Sequence, residues 1–429
     1  MTNCALTTMS PRLGLVFLML LASGPNAEAQ QDTPGCTVRG EPARRIELPD
    51  GKIVSIDVQS LARRGDTVMV IGRYVYVFAA SSTPASPPVM RDSIIGVLLV
   101  PGGKVSMVPA PLRSRRVLFS KVAAGVDAFH AVFATSSDTA EVSLMQDSAT
   151  IWYARFHNGA WSTPERVLDV KRVKLQHEAT SAPLERNGVL SFAFTFADSA
   201  DDLVDGGGIV MLRRRNGAWT ADTLRTRRRP QAVRLAYGTS DGVLKALTVL
   251  SSANSASQTQ VQLATYAQDW RDTLVIAESA RGVLIPSFAA LGDGYVASWT
   301  AWEPPSLESS TIEWVRVTRE ERVIKGRVIS WGENTFPFEM FVMEAAHPMW
   351  LYRGAPPGHS IAVSSVTDSI PIALGSVAVP FENYKVTSIP IDRARTLAFT
   401  NTVGKSPDEP PGASYATVLE FRCPGSARR

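Results

Sequence analysis

The sequence predicts an all-β protein, a seven-bladed β-propeller of four-stranded antiparallel blades, with six or eight blades as the alternatives. Three observations predict it. Hairpin signals recur at a spacing of roughly fifty residues, the repeat length of a propeller blade. Between them runs a second series of strand pairs, so each repeat holds four strands. No long amphipathic helical pattern occurs beyond the N-terminal segment. The composition agrees. Of 429 residues, 45% are hydrophobic and 20% charged, which excludes a disordered or collagen-like chain, and 3 cysteines exclude a disulfide-dense scaffold. A net charge of +4 gives no reason to expect a nucleic acid partner.

Residues 1–29 read as a secretory signal peptide. Arg12 precedes the apolar run 13–22, Ser23-Gly24-Pro25 breaks it, and Ala27-Glu28-Ala29 forms a small-x-small cleavage site. The run is shorter than the ~20 residues that span a bilayer, and no later segment reaches that length. Residues 30–429 are therefore expected to be a single exported domain, periplasmic or extracellular, with no membrane insertion after cleavage, and a monomer. Cys4 leaves with the signal, so Cys36 and Cys423 remain, near the two ends. In an oxidising compartment the two are expected to form a disulfide.

The repeats follow in order. Segments 52–58 and 67–78 open the series, and 94–100 turns at Gly102-Gly103. Next, 117–122 pairs with 128–134. Residues 151–157 run into Asn158-Gly159 and then Ala160-Trp161; residues 209–215 run into Asn216-Gly217 and then Ala218-Trp219. Asn-Gly between alternating runs signals a type I′ hairpin, which needs positive φ at both central residues. Degenerate copies turn at Gln268-Asp269 before Trp270, at Arg319-Glu320 and at Thr367-Asp368. The intervening pairs are 231–237 with 243–250, 283–290 with 295–302, 336–343 with 348–353, and 384–391 with 396–401. The last repeat has a third strand, 415–421, and no fourth after it. Residues 42–48 resemble the outer strand 164–168, so the N-terminal strand is expected to complete the last blade. Closure of this kind removes an exposed sheet edge and brings Cys36 near Cys423.

Loops alternate between the two faces of such a ring. Turns between first and second strands, and between third and fourth, are short. Loops between second and third strands are longer and share a face with the linkers between repeats. Binding residues concentrate on long loops held by a rigid scaffold, so this loop face is the expected functional face. Basic residues recur in the linkers, among them Arg115, Arg116, Arg172, Arg228, Arg229 and Arg281. Arginine offers a planar fork that suits carboxylates, sulfates and phosphates; solvated surface charge is the plainer reading. Trp302, beside Glu303-Pro304-Pro305, is the candidate stacking residue. The loop holding Asp198, Asp201, Asp202 and Asp205 is a candidate calcium site, although its spacing is not that of an EF-hand. Histidines His130, His157, His177 and His359 lack metal-ligand spacing, so no metal centre is expected otherwise.

Val283-Leu284-Ile285-Pro286-Ser287-Phe288, followed by Gly294-Tyr295-Val296-Ala297, together with the Asn-Gly-Ala-Trp hairpins, resembles the sialidase-like, BNR-repeat class of propellers. The resemblance implies a hydrolase or lyase acting on acidic carbohydrate. Leu284, however, stands where that class places a substrate-binding arginine, and no Ser-x-Asp-x-Gly-x-x-Trp box occurs. Tyr384 beside Glu382 is the nearest counterpart of a tyrosine nucleophile and its partner, and reads equally well as strand packing. No catalytic residue is carried over. The expectation is an exported propeller that binds a glycan or an extracellular protein, in anionic form where the arginines decide, with the sialidase-like enzyme as the alternative.

Overall fold

A computed structural model describes the chain from Thr37 to Arg422 except residues 48–55, 75–92, 101–104, 110, 113–116, 137–145, 174–178, 199–205, 253–254, 304–305, 327–328, 331–336, 343–347, 354–359, 368–369, 379–382, 393 and 403–413. The expected class is what it shows: an all-β propeller built from four-stranded antiparallel blades.

The described strands fall into seven antiparallel sheets. The first holds Ile56–Arg64, Thr67–Tyr74, Ser93–Leu99 and Val105–Val108. The second runs Val117–Ala124, Phe129–Ser136 and Gln146–His157, whose outer edge takes both Ala160–Trp161 and Glu165–Val173. In the third are Leu184–Arg186, Val189–Ala197, Gly207–Arg215 and Ala218–Thr226, and in the fourth Arg229–Tyr237, Leu244–Ser252, Ser255–Tyr266 and Trp270–Ser279. The fifth comprises Gly282–Leu291, Gly294–Glu303 and Ser306–Val317, edged by Val323–Lys325 and Ile329–Ser330; the sixth comprises Pro337–Val342, Pro348–Arg353, Ser360–Thr367 and Ile370–Ala378. Asn383–Pro390, Arg395–Thr402 and Ser414–Arg422 make the last sheet, whose outer edge is Thr37–Gly40 and Arg44–Arg45.

The N-terminal segment thus completes the last sheet, starting earlier than residue 42. Thr37 faces Arg422 and Gly40 faces Leu419, and Arg44 faces Ala416. Between the two pieces, Glu41 N–H donates to the Val418 carbonyl at 2.9 Å and Thr417 Oγ1 donates to the Glu41 carbonyl at 2.6 Å. Cys36 and Cys423 lie outside the described residues, as does the signal segment.

The hairpin turns adopt the backbone their sequences require. Asn158 and Gly159 have φ of 49° and 81°, and Asn216 and Gly217 have 50° and 83°. The apolar core lies between sheets, not within any one of them. Phe119, Ile151 and Tyr153 of the second sheet meet Phe192, Phe194 and Leu212 of the third. Equivalent clusters join the first and second, third and fourth, fourth and fifth, and last and first sheets. The second and fourth sheets are covered on both faces by their neighbours, which explains the near-continuous burial of their second strands Phe129–Ser136 and Leu244–Ser252. Innermost strands touch in turn around the ring, except that Arg229–Tyr237 meets the second strand Val189–Ala197 of the third sheet, and Asn383–Pro390 returns to touch Ile56–Arg64.

Candidate functional site

The inner strands share a feature that the residue pattern does not announce. Each shifts register against its second strand near its start: between Val58 and Ser60, Val117 and Phe119, Pro230 and Ala232, Leu284 and Ser287, Pro337 and Glu339, and Asn383 and Lys385. The third sheet does the same between the Thr180–Phe194 bridge and the Leu184–Ser191 pair. A bulge bends the strand and re-aims the residues before it. All these bulges sit at the loop-face end. Counted back from the bulge, Arg115 and Arg116 occupy the same sequence offsets as Arg228 and Arg229.

Arg115 and Arg116 themselves lie outside the described residues. Arg172 belongs to the strand Glu165–Val173, where the backbone alone is described. Arg227 is exposed and Arg228 half-buried. Arg229 departs from the expected open cationic arc, because it is 3% exposed. It starts the inner strand opposite Ser251 and lines a small cavity with Ala179, Thr195, Phe196, Ala197, Pro230 and Gln231, at the junction of third and fourth sheets. Arg281, half-buried, occupies the neighbouring sheet, where its Nη1 donates to Thr311 Oγ1 at 3.3 Å. Trp302 is half-buried, not fully exposed, because it packs across the sheet on Gly282. A Cβ at Gly282 would stand 2.3 Å from the indole nitrogen, so this contact requires glycine. Arg281 and Trp302 thus lie at the same end of the fifth sheet, Arg281 reaching Thr311 and Trp302 covering Gly282.

Of the acidic loop, Asp198 is described and its three companions are not. Asp198 pairs with Arg225, whose guanidinium lies 5.0 Å above the Phe196 ring. Among the described residues no group of three or more His, Cys, Asp or Glu side chains is placed to hold a metal ion. Glu382 lies outside the described residues, and Tyr384 is the bulged residue of its strand.

The opposite, hairpin face carries a set of polar ties between sheets. Arg64 donates to the Val126 carbonyl at 3.2 Å, joining first to second sheet. Arg186 donates to the Gly238 carbonyl at 2.8 Å, joining third to fourth. Lys245 pairs with Glu321 at 2.7 Å, joining fourth to fifth, under the Tyr295 ring. Tyr295 donates to the Val243 carbonyl at 3.1 Å, and burial pushes its hydroxyl well above the usual phenol range.

Between second and third sheets the tie is a relay that sequence reasoning missed. His130 Nε2 stands 3.0 Å from Glu185 Oε2, and its Nδ1 is 2.8 Å from the Tyr153 hydroxyl. With the carboxylate assigned as acceptor from Nε2–H, Nδ1 accepts from Tyr153 O–H. Arg214 lies 4.7 Å over the Tyr153 ring and pairs with Glu165 at 3.3 Å. His130 looked solitary because its partner lies about one repeat period further along the chain. The local signal was Gly125, whose backbone passes over the pair: a Cβ there would fall 1.9 Å from Glu185 Oε2 and 2.3 Å from His130 Nε2.

No protein-family model matches this chain, and no curated protein matches it in sequence. Among solved structures it is similar to a protein of unknown function from Dyadobacter fermentans DSM 18053, at 13% identity and a TM-score of 0.51, over 90% of this chain and 99% of that one. That likeness is one of fold.

Proposed function

We propose that this protein is an exported, seven-bladed propeller that binds an anionic glycan or extracellular protein on its loop face. The observation that carries the proposal is the recurrence in sequence of an arginine pair at one offset from the inner-strand bulge, Arg115-Arg116 and Arg228-Arg229, with Arg228 half-buried and the preceding Arg227 exposed. Bidentate arginine forks at such a rim favour carboxylate, sulfate or phosphate groups. Arg281 and Trp302 add a cation and an aromatic face in the next sheet. Retention of the purified protein on sulfated and carboxylated glycan resins tests it. Replacing Arg227 and Arg228 together by Ala is expected to shift elution to lower salt, and unchanged retention overturns the reading. Turnover of fluorogenic glycosides by the same protein would replace a binding role with a catalytic one.

Export and ring closure are part of the same proposal. The described ladder runs in register from Gly40 and Leu419 to Thr37 and Arg422. In sequence Cys36 directly precedes Thr37 and Cys423 directly follows Arg422, which supports a disulfide across the closing edge. The two thiols would lose two protons and two electrons to an oxidised thiol–disulfide exchange partner of the exporting compartment.

A further inference from the structure

We propose that His130, Glu185 and Tyr153 form a proton-sensitive joint between the second and third sheets, which loosens on acidification while the lysine and arginine ties of neighbouring junctions hold. His130 stands on the second strand of its sheet and Glu185 on the innermost strand of the next. Their side chains are 12% and 13% exposed, so the pair is nearly sealed within the junction. Facing His130 from its own sheet are Tyr153 and Arg155; from the hairpin turn, Asp127, which Arg155 pairs with; and from the third sheet, Glu185. Behind Tyr153 lie Arg214 and Glu165. Every other tie named on this face uses a group that keeps its charge or neutrality between pH 5 and 8. Histidine alone titrates there.

Protonation changes the relay's logic. Neutral His130 accepts from Tyr153 and presents its Nε2–H to Glu185 at 3.0 Å. As imidazolium it donates from both nitrogens, so Tyr153, which is 4% exposed, loses the acceptor for its hydroxyl and must turn its proton elsewhere. Burial is the largest influence on His130 and holds it below the usual 6.5; Arg155 acts in the same direction, while Glu185 and Asp127 act against it. A base held below its unfolded value binds its proton more readily unfolded. The stabilisation this junction gives is therefore complete above about pH 6.5, and it is lost as pH falls through the window down to the folded value.

Hydrogen exchange read by mass spectrometry at pH 7.5 and pH 5, corrected for the intrinsic rate, tests the joint. Peptides covering 129–136 and 184–197 are expected to lose protection at pH 5, by about tenfold for each pH unit that separates the two values of His130. Peptides 244–252 and 294–303, across the Lys245–Glu321 junction, are expected to keep theirs. This comparison needs no substitution. In His130→Gln, which bonds without titrating, the difference between the two pH values is expected to vanish at the second–third junction. An equal loss at both junctions of the natural protein, no loss at either, or a loss that persists in His130→Gln overturns the proposal.

Discussion

Replacing Gly125 by Ala probes the second–third junction with one methyl group. The added Cβ would lie 1.9 Å from Glu185 Oε2 and 2.3 Å from His130 Nε2, far inside contact distance. Glu185 must swing away and the imidazole must shift as well, so His130 loses its carboxylate. A hydrogen bond to a charged partner is worth about 1.5–3 kcal/mol, so the expected loss at pH 7.5 is about 2 kcal/mol. For a chain of this length that corresponds to a fall in Tm of about 2–3 °C. The sign of the pH dependence follows from the same geometry. Glu185 is the main influence that favours the imidazolium against burial. Without it the folded value of His130 drops further, the window of lost stability widens, and the cost of the substitution is larger at pH 5 than at pH 7.5. Gly65→Ala is the control: at φ 59° with nothing within 4 Å, it carries only the backbone cost of a left-handed residue, which is independent of pH. Thermal or urea melts at both pH values measure all of this. A Gly125→Ala protein as stable as its parent, or one whose deficit shrinks at pH 5, would refute the reasoning.

Two further outcomes follow from packing and closure. Phe192→Ala removes a fully buried ring stacked 5.6 Å from Phe119 at the same junction, and is expected to cost about 3–5 kcal/mol in denaturant melts; a loss below 1 kcal/mol would mean the junction collapses around the gap. Cys423→Ser opens a loop of nearly 400 residues, worth at most about 5–6 kcal/mol by the chain-entropy argument, or about 6–7 °C in Tm. Peptide mapping without reductant is expected to find the Cys36–Cys423 bond in exported protein, and two free thiols there would remove that bond from the proposal.

The sequence displayed the repeat because hairpins make local demands. Asn158-Gly159 and Asn216-Gly217 are residues that accept positive φ, placed between alternating runs, so turn and strands can be read together. The closing strand was legible from residue 42 onward, where apolar positions recur, but not from Thr37, since the outer edge Thr37–Gly40 is mostly exposed and carries no alternation. The inner-strand bulges were invisible for a different reason. A bulge is a count of two residues against one on the partner strand, not a residue type, and the bulged positions hold residues as different as Gln59, Leu118 and Tyr384. Arg229 read as surface charge because linkers are usually exposed; it is buried because the inner strand it starts is packed against the preceding sheet near Thr195 and Ala197. His130 and Glu185 meet only once the sheets are in place.

The two faces of the ring hold their sheets by different means, and this separates structure from function in a way that substitution can test. On the hairpin face, neighbouring sheets are joined by buried or half-buried charges: His130 to Glu185, Arg186 to Gly238, Lys245 to Glu321. On the loop face, a close approach at glycine does comparable work between the third and fourth sheets: Gly207, at φ 152°, would place a Cβ 2.9 Å from Pro230 Cδ. The exposed Arg227 and half-buried Arg228 are therefore surplus to cohesion. Replacing each by Ala is expected to change stability by no more than about 0.5 kcal/mol. Lys245→Ala, which strips Glu321 of its partner and leaves Tyr295 uncovered, is expected to cost about 1–3 kcal/mol. If the loop-face arginines prove as costly as Lys245, they are structural, and the anion-binding reading loses the feature that distinguishes it. If they are silent in stability and decisive on the glycan resin, cohesion and recognition occupy opposite faces of one ring.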